Sequence, residues 1–182
     1  MLKKKQIEPC PNADSCSKKA CANRMAFDVL QAPEALVGVG FRCWMSGYQT
    51  SDINCWETGW NHFAQKLGVG SAKLAITELA TWVRNVNQAA ARDIAVYPNG
   101  SAGFCADECM AISMIAAAQH SVCPAMRACA FALVGSNLVD SVVESAENFA
   151  HVLGDVGVRL APGSIVYATP MLETAAIAPT VN

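Results

Sequence analysis

Apolar residues recur three and four positions apart through most of the stretch from Pro33 to Leu153, and that period constrains the fold more than anything else in the chain. Such spacing puts side chains on one face of a helix and on no single face of a strand. The clearest case is Ile53, Trp56, Trp60, Phe63 and Leu67, at 3, 4, 3, 4 spacing, with Ser51 placed to cap the helix and Gly68 to close it. A second helix is predicted with Ser71 as its cap, Ala75, Leu79, Trp82, Val86 and Ala90 inward, and Lys73, Thr77, Arg84, Gln88 and Arg92 toward water. Upstream, Pro33 and Glu34 suit the first turn of a helix carrying Phe41, Trp44, Met45 and Tyr48. Gly38 and Gly40 weaken that helix by about 1 kcal/mol each relative to Ala and leave room for close packing.

Tyr97-Pro98-Asn99-Gly100-Ser101 has the chemistry of a turn, since Pro fixes one central position and Asn-Gly tolerates positive φ. Phe104 to Val122 is apolar almost all round, which predicts a buried central helix, followed by Pro124 to Val134 after a cap near Cys123. Asn137 is expected to open a last helix with Leu138, Val142, Ala146, Phe149 and Leu153 inward, ended by Gly154. The expected fold is therefore all-α: one bundle of about six helices over residues 30–154, preceded by an irregular arm (1–29) and followed by a mostly non-helical apolar tail (155–182). Within the tail, residues 156–160 and 164–168 flank Ala161-Pro162-Gly163 in a hairpin-like pattern, with a frayed end beyond.

At 182 residues, 53% hydrophobic and 15% charged, the chain has enough material for a real core and is not a disordered polymer. A net charge of -2 excludes the broad basic footprint of a nucleic-acid binder. No apolar run approaches the roughly 20 residues of a membrane span. Charge is uneven: residues 1–24 carry a net +4 and the remainder -6. The start has a basic flank but no apolar export region, and nine cysteines is an odd number, several of them inside helical segments. These features predict a cytoplasmic protein with mostly reduced thiols.

Cys10, Cys16 and Cys21 lie among the lysines of the arm, where neighbouring cations favour thiolates. Thiolates ligate zinc and iron–sulfur clusters, and Cys43, Cys55 or His62 would supply a fourth ligand if the arm folds back. The spacing of the three matches no zinc ribbon or cluster motif, and solvated thiols on an arm are the preferred reading. Cys105 and Cys109 stand four apart in the first turn of the central helix, where backbone N–H groups favour anionic sulfur while Asp107 and Glu108 oppose it. With Cys123, Cys129 or His120 they would make a soft-metal clamp, but small buried cysteines are ordinary helix filler, which is the preferred reading. Cys55 and His62 share a flank of the Trp-rich helix, where they would suit a metal or haem, although a half-exposed flank with a solvated His is the preferred reading; His120 and His151 suit helix C-termini.

Gly68-Val-Gly-Ser-Ala-Lys73 and Gly38-Val-Gly40 lack the residues of a phosphate loop or a dinucleotide fingerprint, and no hydrolase motif is present. Trp44, Tyr48, Trp56, Trp60, Phe63 and Trp82 crowd into about forty positions, enough for core filling and for interface anchors. The expectation is a non-catalytic helical protein acting by association, as a homo-oligomer or with a protein partner, with thiol-based metal or redox sensing. The alternatives are a metal or iron–sulfur protein using the N-terminal cysteines, and a small thiol-dependent redox enzyme.

Overall fold

The computed structural model describes residues 32–165, which form six helices: α1 Ala32–Thr50, α2 Ile53–Leu67, α3 Val69–Ala89, α4 Ala106–Gln119, α5 Cys123–Val134 and α6 Asp140–Asp155, with a 3-10 turn at Pro162–Ser164. The all-α bundle predicted from the periodicity is the fold found. No strand occurs among the described residues. The arm and the end of the tail fall outside them.

The predicted stripes largely supply the core, but Leu138, expected inward, precedes α6 and is 70% exposed, and there are local shifts that have physical causes. Asp52, not Ser51, caps α2, its carboxylate accepting from the backbone N–H of Asn54 at 3.0 Å. Ser51 instead takes positive φ (57°) where the chain leaves α1. Gly68 ends α2 and at once precedes α3, its φ of 77° turning the chain in a single residue. Ser71 therefore lies inside the first turn of α3 and caps nothing. Ala106 rather than Phe104 opens α4, because Glu108 reaches back to the N–H of Cys105 (2.7 Å) and fixes the start there. Asn137 stays in the linker and α6 begins at Asp140; it runs through Gly154 to Asp155.

α4 is the central helix, buried continuously from Asp107 to Cys109 and from Ala111 to Ala117, with α1, α5 and α6 around it. An aromatic column joins three helices: Trp82 of α3 lies 5.4 Å from Phe41 of α1 and stacks on Phe149 of α6 at 5.7 Å. α1 and α2 interlock through two glycines. A Cβ at Gly47 would strike the indole of Trp56, and one at Gly59 would come within 2.6 Å of Trp44 and 3.0 Å of the Cβ of Cys43. Each helix thus offers a notch to a tryptophan of the other. The concentration of aromatic bulk in the sequence is largely taken up by this seam, although Ile53, at the head of the predicted stripe, is 70% exposed.

The hairpin expected after Asp155 does not form in residues 156–165, and residues 166–168 of it lie outside the described residues. Side chains meet this segment's backbone groups instead. Gln119 accepts from the N–H of Leu160 at 2.8 Å and donates to the carbonyl of Val158 at 2.9 Å, while Glu34 accepts from the N–H of Ala161 at 2.7 Å. The hydroxyl of Ser113 donates to the carbonyl of Ser164 at 2.7 Å. Val158 and Leu160 are buried beneath the strap this makes. No helix among the described residues is long and apolar enough to cross a membrane.

Candidate functional site

Between α3 and α4 the chain runs from residue 90 to residue 105 without helix or strand. Connections of this length are uncommon in a packed bundle and are usually functional. This one is held by two consecutive acids in the first turn of α4, a position where the helix dipole favours negative charge. Asp107 takes the outer flank: its carboxylate pairs with both terminal nitrogens of Arg92 at 2.7 and 2.8 Å and accepts from the N–H of Ala95 at 2.8 Å. Arg92 also donates to the carbonyl of Ala132 at the C-terminal end of α5.

Glu108 takes the inner flank. One of its oxygens accepts from Arg42 Nε (2.6 Å) and the N–H of Tyr97 (3.2 Å), the other from the N–H of Cys105 (2.7 Å) and Arg42 Nη2 (3.2 Å). Arg42 then donates to the carbonyls of Ser101 (3.0 Å) and Gly103 (2.6 Å), with its guanidinium over the Phe104 ring. Both side chains of this pair are buried, at 3% and 0% exposure, so every charge-assisted bond matters to keeping them there.

With both flanks secured, the turn at Pro98–Ser101 projects one side chain onto the α1–α2 seam. The N–H of Ser101 donates to the carbonyl of Pro98 at 3.1 Å, and Gly100 takes a φ of 84°. Asn99 at its tip spans two buried thiols: Cys43 Sγ donates to Asn99 Oδ1 and Asn99 Nδ2 donates to Cys55 Sγ, each at 3.6 Å. Burial, the neighbouring Cys55 and Glu108 push the Cys43 thiol up to about 11 against a smaller opposing effect of Arg42. It stays protonated at neutral pH until something displaces the proton.

Of the residues singled out in the sequence, Cys43 and Cys55 are brought together here. His62, on α2, does not join them; its Nε2 is buried without a hydrogen-bond partner, and burial, then Lys66, holds its pKa below the ordinary histidine value. Cys10, Cys16 and Cys21 lie outside the described residues. Among the described residues no group of three or more His, Cys, Asp or Glu side chains is placed to hold a metal ion. At the head of α4 the effect of burial and of Glu108 prevails over that of the helix N-terminus: burial, then Glu108, pushes Cys105 up to about 12, and its sulfur donates to the carbonyl of Ala95 at 3.2 Å. Cys109 and Cys129 are buried, and burial alone pushes Cys129 up to about 12, as suits filler. His120 Nε2 lies 2.9 Å from the carbonyl of Leu160, and His151 lies on the surface 3.5 Å from Asp155.

Sequence reasoning missed Asn99 as anything but a turn residue, sent Arg92 to water, and gave Arg42 no role. The available signals were a single arginine inside apolar α1 and two adjacent acids heading an otherwise apolar α4. Each is a charge that burial would force to find a partner. No protein-family model, curated protein or solved structure matches the chain.

Proposed function

We propose that the protein works without catalysis, by association with copies of itself or with a protein partner, and that the thiol pair beneath Asn99 is where soft metals or redox state act on that association. The observation that carries this reading is the single amide bridging Cys43 and Cys55 at the tip of a loop anchored on both flanks. A loop fixed so firmly holds its tip in one place, and a change at the sulfurs has to move that tip. Cys55 is two residues from Ile53, which is 70% exposed at the start of α2, and Val69 and Leu74 at the start of α3 are 68% and 62% exposed. Apolar side chains so open to water are candidates for cover by a partner.

A thiol-dependent redox enzyme is disfavoured, because thiols pushed up to about 11 and 12 at Cys43, Cys105 and Cys129 supply little nucleophilic thiolate near neutral pH. Reduced thiols are what the cytoplasm maintains, and we place the protein there. Light scattering on the reduced protein over a range of concentrations tests the association. A mass above the monomer, shifted by soft metal or by peroxide, is expected. A monomer at every concentration and under every treatment overturns self-association.

A further inference from the structure

We propose that Cys43 and Cys55 form a two-sulfur site for one soft monovalent cation of the Cu(I) class, and that Asn99 occupies the space between the sulfurs when the ion is absent. The inference rests on the preceding view of this pair as a sensing point and names its ligand. The two sulfurs come from facing helices on one side of the α1–α2 seam. Cys43 packs its Cβ against Gly59, one helical turn beyond Cys55, where the missing side chain lets α1 and α2 approach. One amide contacts both sulfurs, its oxygen accepting from Cys43 and its nitrogen donating to Cys55, so both sulfurs border the volume that the amide fills. Asn99 is exposed and sits on a turn, so it can swing away without disturbing either helix.

The donor set selects the ion. Zinc in structural sites takes four ligands, and calcium and magnesium take oxygens, whereas two sulfurs with no third His, Cys, Asp or Glu within reach among the described residues suit a soft ion content with two thiolates. Binding breaks two S–H bonds, forms two sulfur–metal bonds and releases two protons to solvent, and the oxidation state of the metal and of both sulfurs is unchanged. The bound centre carries one net negative charge. Arg42, adjacent to Cys43, favours that charge, and Glu108, paired to Arg42, offsets part of the benefit. Asn99, expelled, gives up both of its sulfur contacts and frees the loop tip.

The test is an anaerobic titration of the reduced full chain with Cu(I) against a chromophoric Cu(I) chelator. It compares the parent with Cys43→Ser, Cys55→Ser, Cys129→Ser and a triple Cys10→Ser/Cys16→Ser/Cys21→Ser variant, each checked for helix content. One tight equivalent is expected in the parent, the Cys129→Ser protein and the triple variant, weakened by about 100-fold or more in Cys43→Ser and Cys55→Ser. X-ray absorption on the loaded triple variant should show two sulfurs and no other ligand. Retention of the tight equivalent in Cys43→Ser and Cys55→Ser, or its loss in the triple variant, overturns the proposal. Should either serine variant lose its helix content, Asn99→Ala decides: faster or tighter binding is expected, and an unchanged rate and affinity overturn the placeholder role. Light scattering on the same samples separates the two readings, since a chain monomeric with and without Cu(I) overturns association and leaves the site standing.

Discussion

Cys43 and Cys129 are almost equally shut off from water, at 1% and 2% exposure, and burial pushes both thiols well up. Around Cys129, on α5 in the hydrophobic core, burial is the whole cause. Around Cys43 a second thiol, a guanidinium and a carboxylate all contribute, and Asn99 gives the sulfur a directed partner. Burial therefore does not separate filler from chemistry. What separates them is whether the structure spends polar groups on the neighbourhood.

The strongest way to break this contrast is to remove what holds Asn99 in place. Glu108→Ala removes the counter-charge of the buried Arg42 and an acceptor shared by the N–H groups of Tyr97 and Cys105, and is expected to lower unfolding free energy in urea by about 3–5 kcal/mol. Asp107→Ala, opposing a half-exposed arginine, is expected to cost about 1–3 kcal/mol. Equal costs would remove the distinction between the inner and outer flanks of the loop. Next in size is Gly47→Ala, which drives a methyl into the indole of Trp56 and should cost about 1–3 kcal/mol by overpacking the seam, with altered near-ultraviolet dichroism.

A direct comparison of the thiols comes third. Cys129→Ser buries a hydroxyl in apolar contact and should cost about 1–2 kcal/mol, whereas Cys43→Ser keeps Asn99 Oδ1 as a partner and should cost under about 1 kcal/mol. Reversed costs would show that Asn99 does nothing for Cys43. The smallest effect is alkaline. A buried thiol raised from 9.0 to about 12 keeps a proton that the unfolded chain gives up, so its contribution is complete below pH 9 and declines as pH rises toward 12. Unfolding at pH 10 should come easier by about 1 kcal/mol per such thiol, and Cys129→Ala should flatten the slope.

Much of this fold was legible because its signals are local. The stripes of α2 and α3 extend over whole turns, and Pro98-Asn99-Gly100 carries its turn in three residues. Helix starts were less legible. At Gly68 two helices meet at one residue, and the capping residue expected for the second falls inside it. The hairpin was misread because apolar alternation does not say what will satisfy the backbone; the groups that do so, on Glu34, Ser113 and Gln119, lie far away in sequence. The site was half legible. Cys43 and Cys55 stood out as sulfur donors, though as helpers for the arm and, for Cys55, as a partner of His62 rather than of Cys43. Arg42 and Glu108 are 66 residues apart, so no spacing rule could pair them.

Trp82 lies at the centre of the aromatic column with no exposure, and its indole N–H has no hydrogen-bond partner. An indole in so dry a setting is expected to emit at the short-wavelength edge of tryptophan fluorescence, and Trp56 and Trp60, partly open to water, further to the red. The protein thus carries an intrinsic lamp at the junction of α1, α3 and α6, whose colour reports whether solvent has reached the middle.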